Sequence, residues 1–93
     1  MYSKIKYPDG SLYVGEYMHG KRNGNGILYY ANGCRYEGMW QDNMMNGKGT
    51  FYFVNGGRFE GKWRNGKRDG IGTWVYENGV RYTGNYQDLK YVA

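Results

Sequence analysis

Along this chain, rings and glycines alternate with polar residues. Between residues 36 and 40 the apolar or small positions are Tyr36, Gly38 and Trp40, with Glu37 and Met39 between them. The alternation resumes at Gly47, Gly49, Phe51 and Phe53. A period of two is the mark of a half-buried strand rather than a helix. The same pattern predicts about eight short strands, over 2–7, 12–17, 25–30, 35–40, 48–53, 58–63, 71–76 and 81–86. Asp9-Gly10, Asn32-Gly33, Asn55-Gly56 and Asn78-Gly79 fall between alternate strands and signal hairpin turns. The other connections read as longer and polar.

The alternation is itself repeated every 23 residues without a gap. With Tyr13 as position 1, that position recurs as Tyr36, Phe59 and Tyr82. Position 3 is Gly15, Gly38, Gly61 and Gly84, and position 5 is Tyr17, Trp40, Trp63 and Tyr86. Position 12 is Gly24, Gly47 and Gly70, and position 14 is Gly26, Gly49 and Gly72. Position 16 is Ile5, Leu28, Phe51 and Trp74, and position 18 is Tyr7, Tyr30, Phe53 and Tyr76. Fixed periods of this length mark repeat arrays. The chain thus divides into a half repeat over 2–12, full repeats over 13–35, 36–58 and 59–81, and a partial repeat with a tail over 82–93.

Turn chemistry decides which faces meet. A two-residue loop at Asn-Gly would send the rings of paired strands to opposite faces. A three-residue loop, a type I turn closed by a left-handed Gly, shifts the pairing by one. Position 16 then faces position 1, 14 faces 3 and 12 faces 5. Tyr7-Pro8-Asp9-Gly10 supports the longer loop, with Pro and Gly where a type I turn wants them. All rings and strand glycines then share one face. On this reading Gly47 lies across from Trp40 and Gly70 across from Trp63, so that bare backbone takes a ring laid flat on it. The opposite face carries Glu37, Glu60 and the pairs Arg35–Tyr29, Arg58–Tyr52 and Arg81–Val75.

Composition fits a core made of rings. The chain has 93 residues, with 17 Gly, 12 Tyr, 3 Trp and 3 Phe, and leucines only at 12, 28 and 89. A leucine-rich helical core is excluded. The net charge of +5 mildly favours anionic partners. Cys34 is the single cysteine, which rules out an internal disulfide and suits a reducing, cytoplasmic setting. No apolar run is long enough for a transmembrane helix, and Met1–Gly10 lacks a signal-peptide core.

The motif Tyr36-Glu37-Gly38-Met39-Trp40, Gly47-Lys48-Gly49, Asn55-Gly56 resembles the MORN (membrane occupation and recognition nexus) repeat family, over about residues 2–86. The resemblance implies an all-β fold: an elongated, twisted, single-layer antiparallel sheet of stacked hairpins, open at its ends, with a groove. It also implies scaffolding, binding of helical or extended protein segments, and contact with anionic phospholipids, in cytoskeletal, ciliary or junctional assemblies. Such repeats also accompany lipid kinase and methyltransferase domains, so an accessory targeting module of a larger enzyme is a further reading. A cytoplasmic location tied to cytoskeleton or membrane follows.

Three surfaces are candidates for binding. The first is a partner groove of Tyr13, Tyr17, Tyr36, Trp40, Phe51, Phe59, Trp63, Trp74, Tyr82 and Tyr86, because a single layer leaves its apolar face uncovered. The second is a basic loop rim of Lys21, Arg22, Arg64, Lys67 and Arg68 for lipid headgroups. Met44 and Met45 interrupt that rim in the second repeat and offer a hydrophobic contact instead. The third is the pair of open sheet edges, which invites end-to-end self-association. No catalytic residue, metal site or cofactor is expected, since His19 is the one histidine and no ligand spacing occurs. Nucleic acid is not expected either, because the cations are placed at the loops and not among the rings.

Overall fold

The computed structural model describes residues 2–85. Eight strands form one open antiparallel sheet in chain order. They are β1 (Tyr2–Lys6), β2 (Leu12–Met18), β3 (Lys21–Tyr29), β4 (Arg35–Gln41), β5 (Met44–Tyr52), β6 (Arg58–Arg64), β7 (Lys67–Val75) and β8 (Arg81–Asn85). The all-β, eight-stranded sheet expected from the alternation is therefore the fold. Its extents are 37 × 24 × 18 Å. Eight strands at about 4.8 Å spacing account for the long dimension.

The Asn-Gly turns are the three-residue kind. Gly10 N–H donates to the Tyr7 carbonyl at 3.0 Å, and Tyr7 N–H donates to the Ser11 carbonyl at 2.9 Å. The pattern returns at Tyr30–Cys34, Phe53–Gly57 and Tyr76–Val80. Each closing glycine sits at positive φ, from 90° at Gly79 to 98° at Gly56, where a side chain is strained. The residue before it explains the Asp/Asn preference. Its side-chain oxygen accepts the N–H two residues on: Asp9 from Ser11, Asn32 from Cys34, Asn55 from Gly57 and Asn78 from Val80. Two hydrogen bonds from Ser11 hold the Asp9 carboxyl below its ordinary pKa. The predicted register follows, with Leu28 opposite Tyr36, Gly26 opposite Gly38 and Gly24 opposite Trp40.

The other connections depart from expectation. They are two-residue turns, His19-Gly20, Asp42-Asn43 and Asn65-Gly66, with φ between 49° and 81°. Both residues at positive φ is the type I′ hairpin geometry, which matches the strand twist. Residues expected in a loop are therefore strand, and β3, β5 and β7 begin four residues early. A bulge follows the turn, where register shifts between Gly15 and Tyr17, Gly38 and Trp40, and Gly61 and Trp63. This overturns two expected pairings. Across the hairpin Trp40 faces Met45 and Trp63 faces Arg68. The glycine beside Trp40 is Gly24, and the one beside Trp63 is Gly47.

The flat-lying ring also differs from expectation. The position-1 rings, not the tryptophans, lie on bare backbone. A Cβ on Gly26, Gly49 or Gly72 would fall inside the van der Waals shell of Tyr13, Tyr36 or Phe59 respectively. Tyr13, Tyr36 and Phe59 are the most deeply buried large side chains, at 0–1% exposure. A flat single layer could not bury a ring that far. The sheet twists and coils around its ring face, and that face becomes the core.

Candidate functional site

The ring face holds two rows. The inner row runs Tyr13, Trp40, Tyr36, Trp63, Phe59. Trp40 stands edge-on to Tyr13 at 5.8 Å and to Tyr36 at 5.1 Å between centroids. Trp63 repeats this with Tyr36 at 5.5 Å and Phe59 at 5.6 Å. Such edge-to-face pairs add to burial alone. Each indole N–H also crosses to the neighbouring repeat, Trp40 donating to the Gly26 carbonyl and Trp63 to the Gly49 carbonyl, both at 3.2 Å. The phenols are satisfied locally, Tyr13 donating to the Glu16 carbonyl at 2.6 Å and Tyr36 to the Met39 carbonyl at 3.1 Å.

These buried phenols have a titration signature. Burial pushes the Tyr13 hydroxyl up to about 12, with the Arg22 charge opposing. Burial likewise raises Tyr36, against its hydrogen bond to Met39, and Tyr30, against the charge of Arg22. A raised native pKa means the contribution to stability is full below about pH 10, the unfolded value. It is lost as pH rises from there through the native value. Tyrosinate absorbance should therefore titrate in two classes, the later one rising together with loss of the near-ultraviolet dichroism. A single class near pH 10 in folded protein would contradict this burial.

The outer row runs Tyr30, Phe51, Phe53, Trp74, Tyr76. Successive centroids lie at 5.4 Å, 4.8 Å, 4.8 Å and 5.9 Å. Tyr30, Phe51 and Phe53 are half-buried, Trp74 is buried and Tyr76 is exposed. Beside Tyr30 a hollow of about 580 Å³ opens. It is lined by the buried Leu28 and Trp40, the half-buried Tyr7, Tyr30, Arg22 and Met45, and the exposed Met44 and Asn43.

The expected groove residues thus separate. Tyr13, Tyr36, Trp40, Phe59, Trp63 and Trp74 are buried in the core, and of these Trp40 also lines the hollow. Tyr17 and Phe51 are half-buried, and Tyr82 is exposed. Tyr86 lies outside the described residues. Tyr7 and Tyr30 line the hollow and Phe53 is half-buried, and position 18 of the repeat already marked all three as ring-face residues.

The basic set separates as well. Lys21, Arg22, Arg64, Lys67 and Arg68 are strand residues beside the two-residue turns rather than loop residues. Lys21, Arg64 and Lys67 are exposed, and Arg64 pairs with Asp69 at 3.3 Å. Arg22 and Arg68 instead turn onto the rings. The Arg22 guanidinium lies 4.7 Å from the Trp40 ring and 5.5 Å from Tyr7, and Arg68 lies 5.3 Å from Phe59. These are cation–π distances. The separation of cations from rings, on which nucleic acid was set aside, does not hold for these two. Arg22 is committed inside the protein, donating to the Tyr7 hydroxyl at 3.1 Å and the Asn43 carbonyl at 2.9 Å.

Asn43 is a residue whose role sequence reasoning missed. It accepts the Arg22 N–H on its side chain at 2.8 Å and donates its own N–H to the Arg22 carbonyl at 3.1 Å. Gly66 N–H makes the equivalent backbone bond to Met45. The I′ turns at Asp42-Asn43 and Asn65-Gly66 therefore latch their strands to the preceding repeat. Met45, in the place of Arg22 and Arg68, packs on the core while Met44 stays exposed.

On the outer face Arg35 pairs with Glu37 at 2.6 Å and Arg58 with Glu60 at 2.5 Å. Arg35 is opposite both Tyr29 and Tyr52, and its guanidinium stacks on Tyr52 at 3.8 Å. Its pKa is raised by the hydrogen bond to Glu37. Cys34 is buried at a turn. Among the described residues no group of three or more His, Cys, Asp or Glu could hold a metal, and no helix is long and apolar enough to cross a membrane.

The family model of the MORN repeat matches three consecutive segments, 13–35, 36–58 and 59–81. No curated protein matches the chain.

Proposed function

For a chain that belongs to the MORN repeat family, we propose a non-enzymatic scaffold that binds a helical or extended protein segment along its outer ring row. MORN repeats are protein and membrane interaction modules, and the family module is non-catalytic. The observation that carries the reading is the hollow beside Tyr30. There, half-buried rings and a methionine pair surround a space of about 580 Å³. A bulky apolar side chain of the partner fills that space, and the exposed Met44 adapts to it. Cytoskeletal, ciliary or junctional assemblies are the settings in which such a scaffold works. The lipid-adaptor reading is weaker, since two of its five cations are folded onto rings and a third is paired with Asp69.

The test is a pull-down with native protein and with Met44→Glu/Tyr76→Glu, both exposed sites. Circular dichroism should show the variant folded. Partners held by the native chain are expected to fall at least about ten-fold in recovery, the equivalent of 1.4 kcal/mol. Undiminished recovery by the folded variant sinks the outer-row reading. Flotation with anionic vesicles, equal for both proteins and lost at high salt, would favour the lipid reading instead.

A further inference from the structure

Tyr13 lies on Gly26, Tyr36 on Gly49 and Phe59 on Gly72. Thus β3, β5 and β7 each receive a ring from the strand before. By position β1 is a strand of the same kind, with Ile5 standing where Leu28, Phe51 and Trp74 stand. The residue that corresponds to Gly26, Gly49 and Gly72 is Ser3. It lies opposite Gly15 on the ring face, half-buried, while Tyr2, Lys4 and Lys6 are exposed. A position-1 ring arriving on β1 in the register of the repeat would meet the Ser3 Cβ, where every internal site offers bare backbone.

The exposed face departs in the same direction. Lys4 stands where the internal strands have Ile27, Thr50 and Thr73. Lys6 stands where they have Tyr29, Tyr52 and Val75. Within the hairpins those last three face Leu12, Arg35 and Arg58. In β8 the residue of that kind is Arg81. A second copy docking β8 on β1 would set Arg81 directly opposite Lys6. Like charges so placed are destabilising, and lysine on a sheet edge discourages pairing with another chain.

We propose that Ser3, Lys4 and Lys6 make β1 a stop strand, closed to any further strand in the register of the repeat, including one from a second copy of this chain. The open edge that a half repeat presents is then guarded by its own side chains, and copies do not chain head to tail through it.

The test supplies a preceding strand in cis. Residues 58–70 are duplicated directly before Tyr2, with Glu60→Thr in the copy so that it matches Thr83 of β8 and forms no ion pair with Lys4, which places a full strand, turn and bulge in register with β1. This fusion is made with native β1 and with the repeat's own residues, Ser3→Gly/Lys4→Thr/Lys6→Tyr. Each fusion is compared with its unfused parent, and Ser3→Gly alone serves as a milder second variant. Adding a repeat to an array adds neighbour contacts. The substituted fusion should gain about 5 °C in Tm over its parent, Ser3→Gly part of that, and native β1 nothing measurable. Equal gains in all fusions, or none in any, overturn the proposal. Sedimentation of the native chain should show a monomer at all concentrations. Association that depends on concentration and on the β1 edge would overturn it equally.

Discussion

Gly49→Ala is expected to lower stability by about 3 kcal/mol, and the loss should largely vanish once Tyr36 is already Leu. Gly49 is in a strand and not among the positive-φ glycines, so alanine fits its backbone. The cost is steric. The new Cβ falls into the Tyr36 ring, which is fully buried and cannot swing to solvent. Overpacking of this kind forces the ring off its rotamer or the strands apart. Denaturant unfolding of Gly49→Ala, Tyr36→Leu and the double variant gives the coupling. The double variant should be little less stable than Tyr36→Leu alone. If the two losses simply add, the ring does not lie on that glycine.

Trp40→Ala should be the most damaging single truncation, costing about 3–5 kcal/mol. The indole is 4% exposed, wedged between Tyr13 and Tyr36 and tied to the Gly26 carbonyl. Its removal leaves a void in the inner row, strips Arg22 of its nearest ring and deletes the indole hydrogen bond to the Gly26 carbonyl. Domains of this size carry a margin of about 5–15 kcal/mol. The variant should therefore show a much lower urea midpoint and weaker near-ultraviolet dichroism. A shift under about 1 kcal/mol would mean that the inner row is not the core. The consequence for function is practical. Trp40 and Trp63 resemble a binding surface in the sequence, yet truncating them tests folding, and partner contacts are better probed at Met44 and Tyr76.

Much of this was legible in the residues. The 23-residue period gave the strands, and Pro8, Asp9 and Gly10 gave the three-residue turn and with it the common ring face. The second turn was hidden because its type I′ geometry is carried by three different pairs. Only Asn65-Gly66 is the familiar signal, while His19-Gly20 and Asp42-Asn43 reach positive φ in less recognisable forms. Missing it placed Arg22 and Arg68 in a loop. Continuing the alternation two residues back from Gly24 and Gly70 would have put them on the ring face. Which rings are core could not be read from period at all. Positions 1, 5 and 18 are equally aromatic, yet Tyr36 is buried and Tyr76 exposed.

The central claim is that a single-layer sheet buries one row of rings and leaves another reachable. Photochemical polarisation of aromatic protons in the native state reads ring accessibility residue by residue. Signal is expected from Tyr2, Tyr29, Tyr76 and Tyr82, which are 42–70% exposed, and none from Tyr13, Tyr36, Trp40 or Trp63, at 0–8%. Strong polarisation of Tyr36 or Trp63 in folded protein would contradict the account, because the inner row would then be open to solvent.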